Sequence, residues 1–157
     1  MKKFILIKLS NFNDCIKLLN SSKKDKSYYK TLGWSKNQLA SQFNKDINYS
    51  WGIYLNNELT AFLVGDLIII EKFAEYEILL IYVKKTYRRK GLAHLLLKNF
   101  FLQTEIKLKK IYLEVAENNF PAVNLYKKNN FTLQNVRKNY YLFENKTINA
   151  LCYSKKL

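Results

Sequence analysis

The run Arg88-Arg89-Lys90-Gly91-Leu92-Ala93 sits between an apolar, strand-like stretch (Ile78 to Val83) and an apolar-periodic, helix-like one (Leu92 to Phe101). A helix start presents backbone N–H groups that have no intrahelical acceptor and carry partial positive charge, so it draws anions. Gly91 allows close approach of a ligand with no Cβ in the way, and the amides from Arg89 to His94 can form a nest around it. Lys84, Lys85, Arg88, Arg89 and Lys90 put five cations into seven residues. This arrangement suits a polyphosphate.

Two further positions have types and spacing that matter. Glu114 lies between Leu113 and Val115 on a strand-like run, so its side chain points to the face opposite theirs. A carboxylate at the end of a central strand is costly without a partner or water. Tyr126 follows Asn119 by seven residues, nearly two helical turns, which puts both on one helix face. His94, the single histidine, reads as a first-turn surface group whose backbone N–H still faces the phosphate site. Cys15 and Cys152 lie far apart, with no metal-ligand spacing. No metal site, histidine triad or structural disulfide is expected, and two lone thiols suit a reducing cytoplasm.

The remaining elements must position these residues. At 157 residues and 48% hydrophobic, the chain is expected to form a single globular domain over residues 1–157. No apolar run approaches a bilayer span, and Lys8 cuts short the only stretch that resembles a leader, so no membrane partner is expected. The net charge of +15 comes mostly from lysine, with three arginines and abundant asparagine. That composition reads as drift spread over the surface, not as the concentrated arginine of a nucleic-acid reader.

Phe4 to Leu9 reads as a strand, then Asn11 or Asn13 caps a helix containing Ile16, Leu18 and Leu19. Ser21 to Trp34 shows no clear period and reads as a loop, and Ser35 caps a helix over Lys36 to Phe43. Trp51 to Leu55 turns at Asn56-Asn57 into two long antiparallel runs, Thr60 to Ile70, with a bulge at Gly65, and Ala74 to Val83. A helix from Leu92, a strand over Lys110 to Ala116 and a helix over Asn119 to Asn129, with Pro121 in its first turn, follow. Strands over Phe131 to Val136 and Ala150 to Lys155 end the chain. The order is β-α-α-β-β-β-α-β-α-β-β, with antiparallel hairpins first and a parallel βαβ crossover in the middle.

Arg88-x-x-Gly91-x-Ala93 resembles the acetyl-CoA pyrophosphate signature of the GCN5-related N-acetyltransferase (GNAT) superfamily. The blocks Leu113 to Asn119 and Leu125-Tyr126-Lys127-Lys128-Asn129-Asn130-Phe131 resemble its second cofactor segment, with Asn130 in place of a glycine that ends the helix left-handed. Val136-Arg137-Lys138-Asn139-Tyr140-Tyr141 and Gly33-Trp34-Ser35 resemble the bacterial ribosomal-protein-alanine N-acetyltransferases.

The resemblance implies an α/β (α+β) GNAT fold, a mixed, mostly antiparallel twisted sheet of six to seven strands flanked by about four helices. It implies acetyl-CoA held by the backbone of Ile81, Tyr82 and Val83, by the loop Arg88, Arg89, Lys90, Gly91, Leu92, Ala93 and His94, and by Asn119. It implies Glu114 as general base and Tyr126 as general acid in direct transfer to an amine. The implied partner is the N-terminal alanine of a small-subunit ribosomal protein. Its groove would lie between the Tyr28 to Ser35 and Lys138 to Lys146 loops, with Trp34, Tyr140 and Tyr141 as aromatic wall. A GNAT acting on lysine, a polyamine or another small amine is one rival, and a non-catalytic cofactor- or ribosome-binding regulator is the other.

Overall fold

The computed structural model describes residues 4–103 and 107–157, without the side chains of 101–103. Its seven strands are β1 (Ile5–Lys8), β2 (Trp51–Leu55), β3 (Glu58–Ile70), β4 (Phe73–Val83), β5 (Leu108–Ala116), β6 (Thr132–Phe143) and β7 (Lys146–Lys156). They form one sheet in the order β1-β2-β3-β4-β5-β7-β6. Only β4 and β5 pair in parallel; every other neighbour is antiparallel. Parallel strands need a crossover, which α4 (Leu92–Gln103) supplies. The helices before it are α1 (Asn13–Leu19), α2 (Lys23–Thr31) and α3 (Lys36–Phe43), and α5 (Phe120–Lys128) follows β5.

Helices cover both faces. Leu92, Leu96, Leu97 and Phe100 of α4 pack with Val123 and Tyr126 of α5 on Tyr76, Ile78, Ile111, Leu113 and Val115. On the other face, Cys15, Leu18 and Leu19 of α1 and Leu39 of α3 pack on Phe62, Val64, Leu80 and Tyr82. In β4, therefore, Tyr76 and Ile78 belong to one core and Leu80 and Tyr82 to the other. Strict alternation forbids this, and the register explains it. Gly65 pairs with Ile78 and Val64 with Leu80, leaving Leu79 as an extra residue. The bulge expected at Gly65 is present, with its added residue on the partner strand. Gly65 has its own steric reason, since a Cβ there would collide with the Tyr76 ring and the Glu77 carbonyl.

The bulge has a consequence on the far side of β4. Pairing with β5 runs from Ala74–Leu108 to Ile78–Leu113 and stops. Beyond that point β4 stays paired with β3 as far as Val83, and β5 with β7 as far as Ala116. The two central strands therefore part, and no strand fills the gap.

Three expectations are corrected. Ser21 to Trp34 is mostly helix, not loop: α2 is capped by Ser22, whose Oγ accepts the Asp25 N–H at 3.4 Å. It has no buried residue, so no apolar period marks it. Instead, Tyr29 packs edge-on against Tyr82 and Tyr28 against Phe143. The Lys138 to Lys146 segment is not a loop. β6 continues to Phe143 and turns at Glu144 and Asn145, both at positive φ, into β7. Cys152 lies on β7, an interior strand between β5 and β6. At the first helix, Phe12 takes the cap position, and Asn11 Oδ1 accepts the Asn13 N–H at 3.1 Å. The Asn56–Asn57 turn, the Ser35 cap and the left-handed Asn130 (φ 63°) match expectation.

Replacing Gly65 with alanine should lower stability by about 1–3 kcal/mol, the range for an overpacked site. Urea unfolding will show this as a lower midpoint at unchanged slope. A parental midpoint would mean that Tyr76 moves aside freely.

Candidate active site

The gap between β4 and β5 is lined by Ile78 to Ile81 on one bank and Glu114 to Ala116 on the other. Tyr28, Tyr29, Leu32 and Trp34 close it from the α2 side, and Asn119, Ala122 and Tyr126 from α5. Tyr141 completes a cleft of about 80 Å³. Glu114 and Tyr126 thus line one cleft, although they start from opposite faces of the sheet. Leu113 and Val115 point into the α4–α5 core, so Glu114 points away from it, whereas Tyr126 is part of that core. A parted pair of strands lets both reach one point.

Glu114 also borders a second hollow of about 390 Å³ on the open sheet face, with Glu75, Glu77, Tyr112 and Cys152. Burial pushes the Glu77 carboxyl up, and nearby Asp66 and Glu114 add to this. The Arg137 guanidinium donates to Glu114 Oε1 at 2.8 Å and Oε2 at 3.1 Å. The Cys152 thiol lies 3.6 Å from Oε1. Burial and then the Glu114 charge raise the Cys152 thiol pKa, which keeps the sulfur protonated and weakly nucleophilic.

Tyr126 is 6% exposed and packs edge-on against Phe131. Burial, and then the neighbouring Tyr141, pushes its hydroxyl well above the usual phenol range. Asn119 caps α5, accepting the Ala122 N–H at 3.3 Å, and borders the same cleft. Tyr141 is pushed up to about 12, by burial first and Glu114 second.

Downstream of β4, the chain makes a single 3-10 turn (Lys85–Tyr87) and enters α4 through Arg89 at φ 61° and Gly91 at φ 81°. These left-handed positions turn successive amides the same way. The N–H groups of Leu92, Ala93 and His94 form the open first turn of α4. A Cβ at Gly91 would meet nothing within 4 Å, so the mouth of the loop is open space. Arg89 and Lys90 are exposed there. A strand edge paired to β3 on one side and free of β5 on the other, leading to an amide nest beside the exposed Arg89 and Lys90, fits an extended ligand that ends in a diphosphate.

Arg88 is placed differently from Arg89 and Lys90. Its Nε donates to the Val83 carbonyl at 3.0 Å, and its Nη2 is paired with Asp25 of α2. Tyr82 donates to the same Asp25 oxygen at 2.7 Å, and Arg88 lies 5.5 Å over the Tyr82 ring. Burial alone would raise the Asp25 carboxyl, but the Tyr82 and Arg88 hydrogen bonds outweigh it and hold the group below its ordinary value. Arg88 therefore ties the loop to α2, with its charge already matched.

His94 is exposed, and its Nδ1 lies 2.8 Å from Asn129 Oδ1, linking the start of α4 to the end of α5. Of the expected aromatic wall, Trp34 and Tyr141 line the cleft. Tyr140 does not; it is 45% exposed and sits under Arg137, 3.7 Å from ring centroid to guanidinium. Asp25 and Tyr29 escaped the sequence reading because α2 did. Among the described residues, no group of three or more His, Cys, Asp or Glu could hold a metal, and no helix is long and apolar enough to cross a membrane.

An N-alpha-acetyltransferase of Saccharolobus solfataricus is 43% identical over 61 residues, 38% of this chain and 36% of that protein. The chain therefore spans little more than a third of the curated relative it matches. Arabidopsis thaliana NAA60, solved with a bisubstrate analogue, superposes with a TM-score of 0.75 at 17% identity, covering 99% of this chain and 98% of that one. The ribosomal-protein-S18-alanine N-acetyltransferase of Escherichia coli superposes at 0.72 and 17%, covering 99% and 94%. At that identity the likeness is one of fold. The model of the acetyltransferase (GNAT) family matches residues 13–131, and with most of its length inside that match the chain belongs to the GNAT family.

Proposed function

We propose that this chain transfers the acetyl group of acetyl-CoA directly to an N-terminal α-amine, and that its acceptor is the N-terminal alanine of a small-subunit ribosomal protein. One observation carries the reading: Glu114 and Tyr126 reach a single cleft from opposite faces, at the one place where the sheet is open. Acetyl-CoA supplies an activated thioester there. The Gly91 loop would hold its diphosphate, and the edge of β4 that faces the gap between Ile78 and Val83, paired to β3 on its other side, would lie along its arm. A β4 N–H directed at the thioester oxygen stabilises the developing oxyanion, an effect worth about 3–4 kcal/mol.

Glu114 takes the proton from the acceptor amine, directly or through one water. An α-amine, with a pKa near 8, needs less help than lysine at about 10.4. Tyr126 keeps its proton across the physiological range and can give it to the leaving thiolate. The protonated Cys152 favours direct transfer over a covalent acetyl-enzyme. The hollow beyond Glu114 is bordered by Glu75, Glu77 and Lys110, so acidic groups outnumber basic ones on the approach of a cationic amine, although the whole chain is strongly basic. The α-amine reading is supported by the Saccharolobus solfataricus relative. The ribosomal reading is supported by the Val136 to Tyr141 and Gly33 to Ser35 blocks and by the fold shared with the Escherichia coli enzyme.

Two outcomes are expected. Against peptides with a free N-terminal alanine, Glu114→Gln and Tyr126→Phe should each lower kcat by roughly 10²-fold or more at unchanged coenzyme A affinity. A preference for a lysine side chain or polyamine in the same panel would defeat the α-amine reading, and an inactive parent would favour the regulator. Mass spectrometry of ribosomal proteins with and without this gene names the target as the one N-terminus that loses an acetyl group. Second, because Tyr126 is raised, kcat should show no loss assignable to it at or below about pH 10, the ordinary phenol value. An alkaline limb near neutrality that disappears in Tyr126→Phe would contradict that.

A further inference from the structure

We propose that Arg137 is a positioning residue, holding the Glu114 carboxylate in the orientation that proton abstraction needs. The inference rests on the reading of Glu114 as base. A single nitrogen, Nη1, donates to both Glu114 oxygens, at 2.8 and 3.1 Å. One donor shared by both oxygens holds the carboxyl group in place, and the Cys152 thiol, 3.6 Å from Oε1, limits its rotation. Two carboxylate oxygens offer about four lone-pair directions. Arg137 uses one on each, and the Cys152 thiol takes the second on Oε1. Oε2 keeps one for a water or an amine.

The arginine is itself held in place. Its guanidinium lies 3.7 Å over the Tyr140 ring. Its strand carries a two-residue bulge, since Arg137 pairs with Ala150 but Tyr141 with Ile148. Asn139, inside the bulge, stands at φ 53°. The Asn139 N–H donates to Asn149 Oδ1 at 2.9 Å, and Thr147 Oγ1 donates to Asn139 Oδ1 at 2.8 Å. Asn149 in turn donates its N–H and its side-chain Nδ2 to Glu117, both at 3.0 Å. Glu117 lies two residues before the Asn119 cap of α5. The bulge that aims Arg137 is thereby fastened to the loop that starts the Tyr126 helix.

The pair is exposed, with the side chains of Arg137 and Glu114 45% and 30% accessible. Exposed pairs contribute little to folding. Variants at Arg137 should therefore fold normally, and their effect should be kinetic.

Arg137→Met and Arg137→Lys are compared with Glu114→Gln, using an alanine-initiated peptide and acetyl-CoA. Arg137→Met should lower kcat about tenfold or more, leave coenzyme A affinity and Tm unchanged, and recover part of its kcat when guanidinium is added. Arg137→Lys should fall between. A purely structural contact would not respond to added guanidinium. Parental kcat in Arg137→Met while Glu114→Gln is inactive would overturn the inference and leave the base standing. So would a change confined to acceptor KM, which would make Arg137 an acceptor contact. Parental kcat in Glu114→Gln would remove the base assignment and this inference with it.

Discussion

The separation of β4 from β5 after Ile78 and Leu113 is the constraint on which the site depends. Parallel neighbours normally exchange hydrogen bonds along their whole overlap, and an unpaired backbone group away from water is costly. Here the extra residue Leu79 turns β4 aside. Each strand stays anchored on its outer flank, β4 by β3 and β5 by β7. The sheet can therefore open at its centre without falling apart, and the facing amides and carbonyls of the two strands no longer bond each other. The same bulge reassigns Leu80 and Tyr82 to the α1–α3 core, where Tyr82 also meets Tyr29 of α2 at the wall of the gap.

Electrostatics follow from this geometry. The chain carries a charge of +15, yet several acids near the site are matched one to one: Asp25 with Arg88, Glu114 with Arg137. The loop cations left facing the open mouth are Arg89 and Lys90. The tyrosines around the cleft are pushed toward their protonated forms by burial, Tyr126 and Tyr29 strongly. The cleft therefore keeps hydroxyl donors in place while the ion pair keeps a carboxylate in place, a division that suits an acid and a base working at one pH.

Much of this was legible in the sequence, and the gaps have physical causes. Gly91, Glu114, Asn119 and Tyr126 are readable because spacing and local chemistry set them: a left-handed turn, strand alternation, a helix cap, two helical turns. Gly65 pointed to the bulge, though not to the strand that carries the extra residue, because registry is a property of two strands. α2 was missed because it buries no side chain, and periodicity reports burial. The reach of β6 was missed because Asn139 and Asn145 suggest a loop, whereas the fold uses one in a bulge and the other in a tight turn. The pairings Asp25–Arg88 and Glu114–Arg137 join residues 63 and 23 positions apart. No local pattern encodes contacts of that kind.

The helix α2 walls the cleft yet has no fully buried residue, meeting the α1–α3 core through Tyr29 and through the Asp25 bonds to Tyr82 and Arg88. Substitutions at its exposed positions cost the folded state little, since surface changes usually fall within about 0.5 kcal/mol. Mutational drift there is thus decoupled from thermodynamic robustness. Descendants of such a chain can diversify what they recognise through this one segment while inheriting the sheet intact.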